Sequence, residues 1–187
     1  MHPRSGRTKL RILSAARRRF AEDGYERTTI RVVAADAAID PSMVMRYFGS
    51  KDGLFAVAAS FDLNLPDLTS LPRGKRGERL AQHFVRLWGH DAAGGGLAIL
   101  LRAAATNDSA AKRVLNVFRQ QVLPTVAAVT VDAPSTRAAL IASQFLGMAY
   151  CRYVARIPEL TTLAESVIVS SLGQTLQRYL YGPIDDA

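Results

Sequence analysis

Cysteine is almost absent from this sequence, which contains only Cys151 among its 187 residues. A single cysteine cannot form an internal disulfide, and its scarcity is compatible with a reducing cytosol. No uninterrupted apolar run approaches the ~18 residues expected of a membrane span, and no apolar stretch follows the charged N-terminus as it would in a secretory signal. We therefore expect a soluble, cytoplasmic protein.

Acidic residues are also few, with 16 Asp and Glu against 24 Lys and Arg, a formal net charge of +8. The excess is concentrated at the front of the chain. Residues 1–51 contain eleven basic residues and five acidic ones, a net charge of +6. Such a distribution indicates an anionic partner, either nucleic acid or a membrane surface.

The alternating pattern of a β-strand is missing throughout, whereas apolar residues recur at helical spacing. In the first helix these residues are Leu10, Leu13, Ala16 and Phe20, with Gly24 at the position of a C-cap. We predict an all-α protein of about nine helices. They cover residues 8–23, 30–37, 41–48, 51–63, 78–91, 96–105, 109–130 with a break at Pro124, 135–157 and 161–180.

The second and third of these helices, joined by a tight turn at residues 38–40, have the dimensions of a helix-turn-helix. Asp40 and Pro41 together signal the start of a helix. The Asp40 carboxylate can accept hydrogen bonds from the unpaired backbone N–H groups of the first turn, and Pro41 has no N–H group that would need a partner there. Val44 and Phe48 are four residues apart and can anchor the third helix to the other two. The side chains that then face outward are Ser42, Met43, Arg46 and Tyr47.

These outward side chains suit the major groove of DNA. Met43 can contact a thymine methyl group, and Arg46 can pair with guanine or a phosphate. Ser42 can give or accept a hydrogen bond. Tyr47 and Lys51 lie where a hydroxyl and an ammonium could hold the DNA backbone.

The segment "ILSAARRRFAEDGYERTTIRVVAADAAIDPSMVMRYFGSKDGLF" resembles the DNA-binding domain of the tetracycline-repressor (TetR) family of bacterial transcriptional regulators. The resemblance covers roughly residues 9–56. It rests on the Phe-Ala-Glu-Asp-Gly-Tyr end of the first helix, the Thr-Thr cap, the Ala-Ala…Ile turn and the Tyr-Phe-x-x-Lys sequence before the fourth helix. Two positions depart from the family pattern: Ala38 replaces the usual glycine, and Met45 the usual tyrosine.

The resemblance implies a homodimer that reads a palindromic operator, with a DNA-binding domain at residues 1–50 and a ligand-binding and dimerisation domain at 51–187. The broad apolar surface of the last two helices favours them as the dimer contact. The function we expect is a ligand-responsive transcriptional regulator, a repressor rather than an activator. The expected DNA-binding residues are Thr28, Thr29, Arg31, Ser42, Met43, Met45, Arg46, Tyr47 and Lys51.

A small-molecule effector, largely apolar, is expected in the C-terminal domain. Its candidate contacts are large apolar residues of the later helices and two polar residues among them. For the apolar residues the alternative is ordinary core packing, and the two polar residues could instead simply reach solvent. The candidates are Phe84, Trp88, Leu101, Arg102, Phe118, Gln144 and Met148.

Other functions have less support in the sequence. No constellation of nucleophile, acid and base or of metal ligands is evident, so we expect no enzyme activity, no metal and no cofactor. His83 and His90 share a helical face but lack further ligands. The alternatives that stay open are an effector-independent architectural DNA-binding protein, an enzyme with a DNA-binding head, and a protein that binds membrane surfaces.

Overall fold

The computed structural model describes residues 3–60, 62–91 and 96–184, and within these ranges every regular element is helical. The all-α prediction is confirmed. The helices exceed nine because two short ones, α2 and α11, were not predicted and residues 109–130 divide into α8 and α9. The helices are α1 Pro3–Glu22, α2 Gly24–Arg27, α3 Ile30–Asp36, α4 Pro41–Phe48, α5 Lys51–Ala58, α6 Arg76–Asp91, α7 Gly96–Ala104, α8 Asp108–Val117, α9 Leu123–Ala127, α10 Pro134–Ala149, α11 Pro158–Thr161 and α12 Glu165–Tyr181.

The chain divides into two compact units, residues 1–61 with 93–114 and residues 62–92 with 115–187. The first unit contains α1–α5, α7 and most of α8, and the second contains the remaining helices. The functional boundary predicted between residues 50 and 51 stays a prediction. Of the helices described, none is both long enough and apolar enough to cross a membrane.

The core of the first unit is built on α1, which packs against α3, α5 and α7. Ile12, Ala16 and Phe20 are fully or almost fully buried, whereas Leu10 is 67% exposed. The helical period that we assigned to α1 is therefore correct, but Leu10 does not belong to its buried face. Gly24 has a φ of +78°, the left-handed conformation that ends a helix and favours glycine.

Helix α5 is shorter than predicted, since it ends at Ala58 rather than near Leu63. Leu63 belongs to the second unit, where its amide donates to Gln121 Oε1 (2.7 Å) and its carbonyl contacts His83 Nε2 (2.7 Å). The amide and carbonyl of Leu63 therefore cannot take part in the backbone hydrogen bonds of a longer α5. The sequence could not indicate this, because both partners lie far along the chain.

The second unit is organised around the long contact between α6 and α12. Its tightest point is at Gly77 and Gly173, where there is no space for a β-carbon on Gly77. Gln177 bridges the same contact: its Oε1 accepts from the Gly77 amide (2.9 Å) and its Nε2 donates to the Arg73 carbonyl (2.9 Å). Leu80 on α6 and Leu176 on α12, each three residues after the glycine of its helix, are buried.

The break predicted at Pro124 takes the form of a wider, π-helical turn. Residues Phe118–Val122 form this turn, and the Leu123 amide donates to the Phe118 carbonyl five residues earlier. Because proline has no amide and its ring displaces the preceding turn, the ladder changes register before Pro124. A second π-helical segment, Tyr150–Val154, continues α10.

Candidate nucleic-acid interface

Helix α4 presents an exposed face at its N-terminal end. Asp40 caps the helix, since its carboxylate accepts from the Ser42 amide (2.8 Å). Hydrogen bonds from the Ser42 side chain and then from its amide hold the pKa of Asp40 below its usual value. Val44 is completely buried and fixes the helix to the core. Ser42 and Arg46 are exposed, as is Met45, and Met43 is half-buried. The side chains of α4 can therefore reach bases and phosphates without any rearrangement of the core.

Tyr47 differs from these residues because it packs against the hydrophobic core of the first unit. Its ring also receives Arg46, whose guanidinium carbon lies 5.6 Å from the ring centroid. It is half-buried rather than outward-facing, so the sequence interpretation overstated its exposure. The aromatic ring supports the position of Arg46 from one side.

The turn before α4 retains a left-handed residue although it lacks glycine. Ala38 has a φ of 50°, which costs an L-residue roughly 1–2 kcal/mol. Arg11 of α1 reaches this turn, and its Nη2 donates to the carbonyls of Ala37 and Ala38. The Ile39 amide also donates to the Ala34 carbonyl at 3.0 Å. These bonds hold the turn in the conformation that glycine would adopt more easily.

The two threonines before α3 have different environments. Thr29 is exposed and is the N-cap, because its hydroxyl accepts from the Val32 amide (3.2 Å). Thr28 is only 1% exposed, and its hydroxyl donates to the Gly24 carbonyl (2.7 Å). The Thr28 side chain is therefore unsuited to a phosphate contact, contrary to expectation. Arg31, on the next turn, is exposed.

Lys51 is held at the start of α5 by the short helix α2. Its Nζ donates to the Glu26 carbonyl (3.1 Å) and lies 4.3 Å from the centroid of the Tyr25 ring. Tyr25 in turn donates its hydroxyl to the Asp52 carboxylate. Burial, followed by this hydrogen bond, raises the pKa of Tyr25 to about 12. The Lys51 ammonium uses one of its three N–H groups here, so the others can bind an anion.

The arginine run of α1 serves the protein itself. Arg19 and Arg18 both pair with Asp36 at the end of α3, at 2.6 and 2.7 Å. Hydrogen bonds from Arg19 and then Arg18 hold the pKa of Asp36 well below its usual value. Arg17 Nε donates to the Ala58 carbonyl (3.3 Å). These contacts join α1 to α3 and α5.

Two of the effector candidates belong to a row of aromatic rings in the second unit. Phe84 stacks on Phe145 with centroids 5.3 Å apart, and Trp88 stacks on Tyr153 at 4.7 Å. Phe84 and Trp88 are themselves 6.2 Å apart and are 4% and 3% exposed. Their faces are thus occupied by protein side chains. Sequence reasoning missed Phe145 and Tyr153, although each aromatic lies at a helical spacing within one apolar segment.

The other effector candidates are not brought together in one place. Leu101 and Arg102 lie on α7 in the first unit, where Arg102 Nη1 donates to the Ala21 carbonyl (2.5 Å) near the end of α1. Phe118, Gln144 and Met148 are half-buried in the second unit. Gln144 Nε2 is 3.5 Å from the Tyr179 hydroxyl. The predicted set is therefore divided between the two units.

Among the residues that the structure describes, no three His, Cys, Asp or Glu side chains are close enough to hold a metal ion. The pKa of His83 is lowered, chiefly because its side chain is partly buried. Its ring contacts the Leu63 carbonyl. The side chain of His90 lies outside the described residues.

A left-handed turn followed by a capped, outward-facing helix, both supported by α1, defines a helix-turn-helix protein. Residues 12–58 match the family described as "Bacterial regulatory proteins, tetR family". Residues 75–180 match "Tetracyclin repressor-like, C-terminal domain". The chain therefore belongs to the TetR family of bacterial transcriptional regulators, and it is a DNA-binding regulator rather than an enzyme.

Solved structures with the same fold cover nearly the whole chain. A TetR-family regulator from Streptomyces coelicolor A3 is 25% identical over 96% of this chain and 98% of its own, with a TM-score of 0.66. A TetR-like transcriptional regulator from Rhodococcus sp. RHA1 is 20% identical over 94% and 97%, with a TM-score of 0.69. At these identities the likeness concerns the fold.

A curated relative, the HTH-type transcriptional regulator HbdR from Aromatoleum sp. (strain CIB), is 42% identical over 43 residues. The match covers 23% of this chain. The chain therefore matches only about a fifth (19%) of the length of this relative.

Proposed function

We propose that this protein is a cytoplasmic, ligand-responsive repressor that binds a palindromic operator as a homodimer and is released from it by a small molecule. The observation that carries the proposal is the exposed face of α4, where Ser42, Met43 and Arg46 follow a turn held by Arg11. Residues of these types read base edges in the major groove.

Phosphate contacts are assigned to the residues around this face. Thr29, Arg31 and Lys51 are at least partly exposed, and the segment that contains them has a net positive charge. Lys51 lies at the start of α5, where unpaired helical amides also favour an anion. Met45 and Tyr47 complete the set, Met45 as an apolar contact and Tyr47 as the support of Arg46.

Dimerisation is assigned to α10 and α12. The π-helical segment that continues α10 exposes Tyr150 (50%), and α12 exposes Val167 (43%). Exposed apolar surface on two long neighbouring helices is typical of a subunit interface. A dimer would place two copies of α4 where successive major grooves recur, roughly 34–36 Å apart or a multiple of it.

Release by an effector requires only that the small molecule binds one arrangement of the dimer more tightly than the other. The aromatic row of Phe84, Trp88, Phe145 and Tyr153 is the effector region that we favour. Its rings are stacked in the described structure, so a flat apolar molecule would enter by parting them.

The test begins with a duplex that the purified protein selects from a random library. Its affinity is compared with that of a scrambled duplex in a fluorescence titration at fixed salt. We expect the selected duplex to be a palindrome and to bind at least ~10³-fold more tightly. Equal affinity for the two duplexes would favour an architectural protein instead.

Two variants locate the contact. Met43→Ala is expected to change the preference at particular base pairs, whereas Arg86→Ala, an exposed arginine of the second unit, serves as the control and should leave both affinity and preference unchanged. A Met43→Ala protein with the wild-type preference would argue against α4 as the reading helix.

A further inference from the structure

A cleft in the second unit contains two arginines without acidic partners. It has a volume of about 410 Å³ and lies between the start of α6, the loop after α9 and the end of α12. This volume is within the ~300–1,000 Å³ of ligand sites in proteins. None of the seven effector candidates predicted from the sequence is among the residues that line it.

Arg73 and Arg76 are held side by side on Tyr181. The guanidinium carbon of Arg73 lies 4.4 Å from the ring centroid, and Arg76 Nη1 donates to the ring hydroxyl at 2.6 Å. Arg76 is fixed further by a bond from Nε to the Leu71 carbonyl (3.0 Å). The two cations are therefore oriented before any ligand arrives, which reduces the entropy that binding must overcome.

Neither cation is neutralised within the part of the chain that the structure describes. Asp132 lines the cleft but pairs with Arg137, whose Nε and Nη2 donate to its carboxylate at 2.9 Å each. Asp67 accepts from the hydroxyl and amide of Thr69 at 2.6 and 2.9 Å, and these bonds are the main reason that its pKa is lowered, with Arg76 contributing least. Arg73 and Arg76 form no ion pair among the described residues.

Arg137 is a structural residue rather than a ligand-binding one. It is only 2% exposed, and Nη1 donates to the carbonyls of Tyr179 (2.7 Å) and Gly182 (3.1 Å). With its remaining donors on Asp132, every side of the guanidinium is used. It joins the loop after α9 to the end of α12 and so fixes the wall of the cleft.

Part of that wall is apolar. Val129, Val131 and Pro183 line it, and Val131 is fully exposed to solvent. A cation pair beside an apolar wall matches a molecule with a charged end and a hydrophobic body. Arginine suits a carboxylate because its planar fork meets both oxygens.

We propose that this cleft binds a small organic carboxylate, with its carboxylate on Arg73 and Arg76 and its apolar body against Val129 and Val131. Binding of the carboxylate to the cleft does not depend on the proposed function. A role of the carboxylate as the effector does rest on that function, and it would make this cleft, rather than the aromatic row, the effector site.

Octanoate is the probe, and isothermal titration calorimetry of the full-length protein without DNA is the measurement. Octanamide has the same chain without the charge, and inorganic phosphate has charge without a chain. We expect octanoate to bind at least about tenfold more tightly than either, because only octanoate combines a carboxylate that accepts charge-assisted hydrogen bonds with an apolar chain. No binding of octanoate, or equal binding of octanamide or phosphate, would overturn the proposal.

Variants assign the site. Arg73→Gln removes an exposed guanidinium that rests on the Tyr181 ring, and we expect it to weaken octanoate binding about tenfold. Arg86→Gln, an exposed arginine on α6 outside this cleft, is the matched control and should bind octanoate as the wild type does. If Arg73→Gln melts normally and binds octanoate with unchanged affinity, the site is wrongly assigned.

A separate titration of the selected duplex with octanoate tests the effector role. Octanoate that binds in calorimetry but leaves the duplex bound would refute the effector role and leave the cleft standing. A protein that binds no duplex specifically would refute the proposed function, and the calorimetry would still decide the cleft.

Discussion

The helix-turn-helix region and the pair formed by α6 and α12 are stabilised by different chemistry. In the first, arginines of α1 connect the helices: Arg18 and Arg19 reach Asp36, and Arg11 reaches the turn at Ala38. In the second, backbone meets backbone at Gly77 and Gly173. One region depends on charged side chains near its surface, and the other on the absence of side chains.

This difference follows from what each region must expose. A short helix that contacts DNA can bury only one side. On α4 only Val44 is fully buried, and Tyr47 and Phe48 pack partly against the core. Polar contacts around the helix therefore add to a small apolar contact. The long α6–α12 contact can bury apolar residues along its length, and small residues there let the helices approach closely.

The largest effect should come from Gly77→Ala. Replacing a glycine in an exposed helix interior by alanine normally stabilises the protein by about 1 kcal/mol. Here the new β-carbon would lie 2.4 Å from the Gly173 carbonyl oxygen and 2.5 Å from the Gln177 amide nitrogen. Since backbone cannot yield as a flexible side chain can, we expect a loss of roughly 3 kcal/mol or more, a fall in Tm on the order of 6–12 °C in thermal melting.

Gly74→Ala is the matched control, because nothing lies within 4 Å of a β-carbon at this position. Its free energy of unfolding should change by about 0.5 kcal/mol at most. Equal Tm values for the two variants would mean that the close helix contact is not the feature that holds the second unit together.

Lys51→Ala tests the helix-turn-helix region through its binding of DNA. The ammonium is held by the Glu26 carbonyl and the Tyr25 ring at the start of α5. We expect affinity to fall about tenfold for every duplex, and the slope of log K against log salt to decrease by about 0.9. Salt-dependent fluorescence titrations measure both quantities.

Lys112→Ala removes an exposed lysine from α8 in the same unit and should change neither quantity. If Lys51→Ala altered the preference for sequence but left the salt slope unchanged, Lys51 would contact a base rather than a phosphate. If both variants lost affinity equally, only the total charge would matter.

The elements that the sequence predicted best are those with local signals. Helix α4 runs from Pro41 to Phe48 as predicted, because its cap, its proline and the glycine after it are adjacent in sequence. Ser50 caps α5 in the same local way, since its hydroxyl accepts from the Gly53 amide three residues later. The family motif extends over the same residues, so pattern and resemblance support each other there.

The contacts that the sequence did not predict join residues far apart along the chain. The run Arg17, Arg18 and Arg19 has no feature that distinguishes a solvated face from partners of Asp36 and Ala58. Likewise, nothing in the spacing of Phe84 and Trp88 shows that Phe145 and Tyr153 occupy their faces. The candidate DNA-binding residues could be named from pattern, whereas the effector residues depend on packing that only coordinates supply.

Ala38→Gly examines the turn that joins α3 to α4. Ala38 has a φ of 50°, so glycine should relieve a cost of roughly 1–2 kcal/mol, offset by the ~0.5–1 kcal/mol of extra backbone entropy that glycine loses on folding. We expect a net rise in stability of up to about 1 kcal/mol. Ala35→Gly, in α3, should instead lose about 0.5–1 kcal/mol. Chemical denaturation of both variants compares the signs, and a loss in both would mean that Ala38 is unstrained.

The smallest effect should appear only as a dependence on pH. Hydrogen bonds from Arg19 and Arg18 lower the pKa of Asp36 from its ordinary value of 3.8. A lowered pKa contributes stability above about pH 4, and that contribution is lost as the pH falls toward the folded pKa.

Asp36→Asn should therefore melt below the wild type at pH 7, and the difference should shrink in melts at pH 3. Because Arg18 is exposed, added salt should also reduce the difference. Glu22→Gln, an exposed acid at the end of α1, should show neither dependence. If the difference in Tm between Asp36→Asn and the wild type were the same at both pH values, Asp36 would act through packing rather than charge. Charged contacts would then no longer distinguish the helix-turn-helix region from the α6–α12 pair.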